Sequence, residues 1–193
     1  MRFVRRGADP QQSRPVIREA DLGSEHDCRA LVKLLTIYRA HPMGGRLPPL
    51  GKKMELSLTR GLRNHPSAFI LFAQRRKAIV AAAVCFSGFS TFCAKPLINV
   101  HDLIVAPAWR KRGIGKAIME AIIRKAVLLD CCKVTLEVRT DNEVAKYLYR
   151  SLGFGPCAAP MEFWSRPIGG DMDHDIAPDD CMSSNLNFTI ASI

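Results

Sequence analysis

Apolar residues recur in this chain in two rhythms, period two and period three-to-four, and the switches between them mark out the elements. Residues 1–14 follow neither rhythm and read as a mobile leader. Pro15–Ala20 reads as a first strand. Ser24 is placed to cap a helix, with Asp27 near its positive end, and Cys28, Leu31, Leu35 and Tyr38 form an apolar stripe at helical spacing. The stretch 41–51, rich in Pro and Gly, predicts a loop, and Lys52–Asn64 a second, weaker helix ended by Pro66. Ala68–Ala73 and Ile79–Phe86, joined by the polar Arg75–Lys77, predict a hairpin. Residues 88–92 are expected to loop towards a central strand at Asn99–Val105, which Pro107 stops. Ile114, Ala117, Ile118, Ala121, Ile122 and Leu129 then predict a helix running to about Leu129. Lys133–Val138 alternates as a strand, and Asn142–Ser151 is a short helix that Gly153 ends in a left-handed turn. Phe154 opens another strand and Met161–Ser165 is the last of the body. The strands at 99–105 and 133–138, joined by one helix, are expected to be parallel neighbours.

The organisation expected is therefore a leader (1–14), one domain (15–168) and an acidic, disordered tail (169–193). The chain has 193 residues, enough for one well-buried domain, and at 48% hydrophobic and 24% charged it matches a water-soluble fold. No apolar run approaches the roughly 20 residues of a membrane span, so no membrane partner is expected. The Arg-rich N-terminus lacks the apolar core of a secretory signal, leaving a short organelle-targeting segment as the alternative to a plain leader. Seven cysteines without a Cys-x-x-Cys pair suggest thiols in a reducing, cytoplasmic setting and no zinc site. The net charge of +10 is uneven: the tail holds five Asp and no Lys or Arg, so residues 1–168 carry +15. Such a body attracts anions, among them CoA, nucleic acid and acidic lipid.

One stretch narrows that choice. After the strand at 99–105 comes Arg110-Lys-Arg-Gly-Ile-Gly115 and then a helix N-terminus. The first N–H groups of a helix lack intrahelical partners and its dipole is positive there, so phosphate binds well. Gly113 and Gly115 would let an anion approach the backbone without meeting a Cβ. A P-loop is excluded, because Arg110 and Ala117 stand where it needs Gly and Ser or Thr. The dinucleotide fingerprint is excluded by Ile118, where it needs a small residue.

Arg110-x-x-Gly113-x-Gly115 resembles the Gln/Arg-x-x-Gly-x-Gly/Ala signature of the GNAT superfamily of N-acetyltransferases. Asn142, Ala145, Leu148, Tyr149, Gly153 and Phe154 resemble its second signature, Asn-x-x-Ala-x-x-Leu-Tyr-x-x-x-Gly-Phe, in the family's order. The resemblance implies a mixed α/β fold: a mostly antiparallel central sheet whose parallel strands at 99–105 and 133–138 splay, flanked by about four helices. It implies acetyl-CoA as co-substrate; no metal is expected, because no other His or Cys has ligand spacing to His101 or Asp102. Backbone groups of Leu103, Ile104 and Val105 would pair with the pantetheine arm, an N–H near Leu103 would stabilise the oxyanion, and the turn of Arg110, Lys111, Arg112, Gly113, Ile114, Gly115 and Lys116 would hold pyrophosphate. Asn142 and Tyr149 belong to the cofactor side, and Tyr149 matches the acid that protonates the leaving thiolate. His101 and Asp102 are the candidate bases, with Glu137 and Glu162 as weaker alternatives. Strand alternation puts His101 on the face of Asn99, Leu103 and Val105, and Asp102 on the other.

The implied reaction is acetyl transfer to a primary amine, small-molecule or protein-borne, by direct attack in a ternary complex. The acceptor pocket would be shaped by 22–64 and 88–98, with Tyr38 as a pocket wall or a rim aromatic. A second copy of the chain is a candidate partner. The rivals are a non-catalytic acyl-CoA sensor and a basic nucleic-acid-binding domain, the latter disfavoured because the few aromatics are not interleaved with the basic runs.

Overall fold

A computed structural model describes residues 14–157, 162, 164–166 and 168. Its centre is a five-stranded sheet in the order β1 (Val16–Glu19), β2 (Ala68–Arg75), β3 (Ala78–Ser90), β4 (Lys95–Val105) and β5 (Lys133–Leu136). The first four strands pair antiparallel; β4 and β5 are parallel. Four helices flank the sheet: α1 (Glu25–Arg39), α2 (Lys52–Asn64), α3 (Ile114–Leu128) and α4 (Glu143–Arg150). Helix α3 is the crossover that a parallel pair requires.

The apolar patterns explain which helix covers which face. Strand β2 is apolar on both faces because both are covered: Phe69 and Leu71 enter one core, Ile70 and Phe72 the other. The first core is closed by Ile114, Ile118, Met119, Ile122 and Ala126 of α3, with Tyr149 and Leu152 at its edge. The second is closed by Leu31 and Leu34 of α1, with Leu62 of α2 beside them.

Several boundaries differ from the sequence reading. The expected loop at 88–92 is shorter and later: β3 continues through Gly88–Ser90, the turn is 91–94, and β4 begins at Lys95, so the hairpin is longer on both sides. The signal faded there because Ser87, Gly88 and Phe89 are exposed, while the backbone ladder continues. Gly88 is needed for closeness, since a Cβ would lie 3.2 Å from Cδ1 of Leu97 on the facing strand. Strand β5 stops at Leu136, short of Glu137 and Val138. Ser24 is the N-cap of α1 but makes no side-chain cap bond. Asp27 does more than face the helix dipole: it is buried, and its carboxylate accepts from both guanidinium nitrogens of Arg18 (2.6 and 2.8 Å) and from the Asp21 N–H (2.9 Å). The strand expected from Phe154 does not form over 154–157, and Glu162, Trp164 and Ser165 of the expected last strand are not in a strand either; the tail and nearly all of the leader lie outside the described residues.

Candidate active site

Strands β4 and β5 part company half-way. Their pairing runs from Leu97 opposite Lys133 to Val100 opposite Leu136 and ends there. Strand β4 goes on to Val105, still paired with β3. Among the described residues, no strand pairs with 101–105 on the β5 side. The Ala106 N–H donates to the Val80 carbonyl (2.9 Å), so strand alternation turns the N–H groups of Leu103 and Val105 towards the open edge. The Val105 carbonyl on that edge accepts from Arg110 Nε (3.1 Å).

The opening starts at a β-bulge. Val84 lies opposite Asp102 and Cys85 opposite Val100, which leaves His101 as the extra residue. The bulge reverses the facing of β4. Ile98 and Val100 enter the α3-side core before it; Leu103 and Val105 pack on that core after it, while Ile104 enters the α1-side core. The expectation of simple alternation therefore fails for this pair. His101 does not share a face with Leu103 and Val105: its ring meets Phe86, which packs on the α1-side core, at 5.7 Å. Asp102 lies on that same α1 side, opposite Val84.

Side chains from two further elements, α4 and α1, join Asp102 at the opening. Tyr149 of α4 is packed against Phe154 (6.0 Å between rings), and burial pushes its phenol up to about 12, with Tyr38 and Asp102 adding to the shift. Tyr38 near the end of α1 donates to the Met43 carbonyl (3.3 Å); burial raises its phenol, Asp102 adds to that and Arg139 opposes it. Burial raises the Asp102 carboxyl, and His101 opposes the shift. Tyr147, two residues before Tyr149, is exposed. The Asn99 side-chain amide donates to Thr135 Oγ1 (3.2 Å) and Glu137 Oε1 (3.4 Å), bracing the two strands where they divide. Glu162 accepts from the Trp164 indole (2.8 Å) and is exposed.

The turn of 110–116 forms the other end. Gly113 is the N-cap of α3 with φ 73°, a left-handed conformation that favours glycine, and a Cβ there would meet nothing within 4 Å. Lys111, Arg112, Gly113 and Lys116 are exposed around it. Gly115 differs from the expectation: its missing Cβ faces protein, 3.2 Å from Leu148 Cδ2 and 3.7 Å from Val105, so its smallness lets α4 approach α3. The Ile114 side chain is buried in the core, leaving only its backbone for a ligand. Asn142 caps α4, its Oδ1 accepting from the Ala145 N–H (3.2 Å). The basic turn, the exposed Gly113 amide region and the open strand edge fit a long anionic thioester in shape and charge.

The sequence reading missed the loop that ties these parts together. His41 Nδ1 accepts from the Met43 N–H (3.2 Å), and His41 Nε2 lies 3.2 Å from Arg110 Nη1. No motif marks His41. Arg139, ion-paired to Asp141 (3.0 Å), was equally silent. The bulge left no mark in the sequence: Leu103, Ile104 and Val105 are all apolar, so their pattern does not show that Leu103 and Val105 pack on the core of Ile98 and Val100.

Comparison with known proteins bears on the family and the fold. Residues 33–154 match the model of the family described as "Acetyltransferase (GNAT) family". A curated relative, the N-alpha-acetyltransferase RimI of Mycobacterium tuberculosis, is 47% identical over 76 residues, covering 37% of this chain and 44% of that protein. The chain spans less than half the length of the curated relatives it matches first. Among solved structures, a protein of Agrobacterium tumefaciens assigned as an acetyltransferase superposes with a TM-score of 0.66 at 22% identity, over 79% of this chain and 99% of that one. AAC(6')-Iy in complex with a bisubstrate analog, CoA-S-monomethyl-acetylneamine, gives 0.64 at 15% identity, over 80% and 100%.

Proposed function

This chain belongs to the GNAT family of acetyltransferases, and on that premise we propose that it transfers the acetyl group of acetyl-CoA to a primary amine by direct attack in a ternary complex. The observation that carries the reading is the open edge of β4 beyond Val100, which leads into the basic turn at the N-terminus of α3. Bound acetyl-CoA supplies an activated acyl group and a thiolate leaving group. The residues of the chain do the rest. The N–H groups of Leu103 and Val105 hold the pantetheine arm as an added strand would, and the one at Leu103 polarises the thioester carbonyl. Backbone amides of 112–116, with Lys111, Arg112 and Lys116 beside them, hold pyrophosphate. Asn142, while capping α4, faces the same arm. His101 or Asp102, both brought to one side by the bulge, takes the proton of the attacking amine; Tyr149 keeps its proton until the sulfur departs. Tyr38 walls the acceptor pocket.

The likeness to an enzyme named for α-amine acetylation favours a protein N-terminus over a small-molecule amine as acceptor. A panel of N-terminal peptides, free lysine and aminoglycosides, assayed by thiol release, tests this. Turnover confined to peptides with a free α-amine is expected; turnover confined to aminoglycosides would assign a small-molecule acceptor. Tight acetyl-CoA binding with no turnover on any amine would leave a sensor.

A further inference from the structure

Away from this opening, two cysteines flank the far end of β4. Ser90 and Lys95 close the β3–β4 hairpin, and Cys93 lies in the turn between them, exposed, with its N–H donated to Ser90 Oγ (3.3 Å). On the other side of β4, the Cys132 N–H donates to the Pro96 carbonyl (2.8 Å), and Lys133 lies opposite Leu97. The two segments are drawn together further by Lys95 Nζ, which reaches Asp130 (2.9 Å). Cys93 and Cys132 therefore flank the same end of β4, one in the hairpin turn and one leading into β5, with Lys95 and Lys133 beside them in sequence.

That setting has the parts of a peroxide-reactive dithiol. The attacking sulfur must be exposed and held as thiolate, and a second thiol must stand beside it. Hydrogen bonds from Ser90 and Cys132 and the two ammonium groups hold the Cys93 thiol below its usual range. The neighbouring Cys131 is pushed the other way by burial, and Cys85 is buried in the core and raised to about 12. Neither competes.

We propose that Cys93 and Cys132 form a reversible modification site at which a hydroperoxide oxidises the pair to a disulfide across the start of β4. The Cys93 thiolate attacks the peroxide; the O–O bond breaks, an S–O bond forms, and the departing alkoxide or hydroxide takes a proton. Cys132 then attacks the Cys93 sulfenic acid, an S–S bond forms and water leaves. Two electrons pass from the two sulfurs to the peroxide. A dithiol reductant reverses the change by exchange.

The test uses the full chain, reduced, with one equivalent of hydrogen peroxide, read by intact mass and peptide mapping. The expected result is a loss of about 2 Da, carried by a Cys93–Cys132 linked peptide and reversed by dithiothreitol. In Cys132→Ser the oxidation stops at Cys93 as a sulfenic acid that dimedone traps. Cys93→Ser loses the 2 Da change. Two results overturn the proposal: Cys93 reacting no faster than the exposed Cys157, or Cys93 passing to the sulfinic acid in wild type while Cys132 stays a free thiol.

Discussion

Tyr149 is where chemistry and environment can be separated most cleanly. Tyr149→Phe keeps the ring against Phe154 and loses only the O–H. Loss of a general acid costs roughly 10²–10⁴-fold, and a CoA thiolate is a fair leaving group, so a drop in kcat of about 10² is expected with little change in the KM for acetyl-CoA. Unchanged turnover would remove the role. The pH profile follows from the raised phenol: the acid form is the active one, and with the phenol pushed up to about 12 it persists well past the ordinary value of 10.0. Wild-type kcat should therefore show no fall below pH 10 that Tyr149→Phe abolishes; such a fall would contradict the assignment. Asp27 gives the matching stability test. Arg18 holds its carboxyl well below the usual carboxylate range, so its contribution is present above about pH 4 and fades as pH falls through the native value. Asp27→Asn should cost about 1–3 kcal/mol near neutral pH and flatten the acid limb of the stability curve. Equal acid unfolding of mutant and wild type would show that the pair does not govern it.

The elements were legible to different depths. The helix of 52–64 was read to the residue, because Pro66 and a polar start bound it, and the helix opening at Ile114 was read from its stripe. The two signatures located the basic turn and Tyr149. What sequence periodicity could not give was where strands part. The splay depends on β4 staying with β3 and leaving β5 after Val100, and β5 itself kept its alternating pattern two residues past its last pair. Nor could it give the loop of 41–47, whose conformation rests on backbone contacts. Gly44 sits against α1, where a Cβ would lie 2.0 Å from the Tyr38 carbonyl oxygen. Gly44→Ala should displace this loop and Tyr38 with it, raising the KM for the amine several-fold while leaving acetyl-CoA affinity near wild type. An unchanged KM for the amine would separate Tyr38 from the acceptor pocket.

At the scale of the whole molecule the charge is divided: a body of +15 and a tail with five Asp and no base. Deleting 169–193 should leave both melting temperature and acetyl-CoA affinity unchanged; a drop of several degrees would move the domain boundary into the tail. The central claim concerns the body alone, that the open edge of β4 and the α3 turn hold acetyl-CoA. Gly113 offers a paired control at the turn, since a left-handed backbone costs Ala about 1–2 kcal/mol and Asp no more than that, while only Asp brings a negative charge. Acetyl-CoA affinity should fall far more in Gly113→Asp than in Gly113→Ala. The most direct measurement is amide hydrogen exchange across 101–116, residue by residue, with and without acetyl-CoA. Binding should protect the amides of Leu103 and Val105 and those at the start of α3, with little change on the β3-facing amides already paired. Protection elsewhere, with Leu103, Val105 and 113–116 exchanging as in the free protein, would contradict the account.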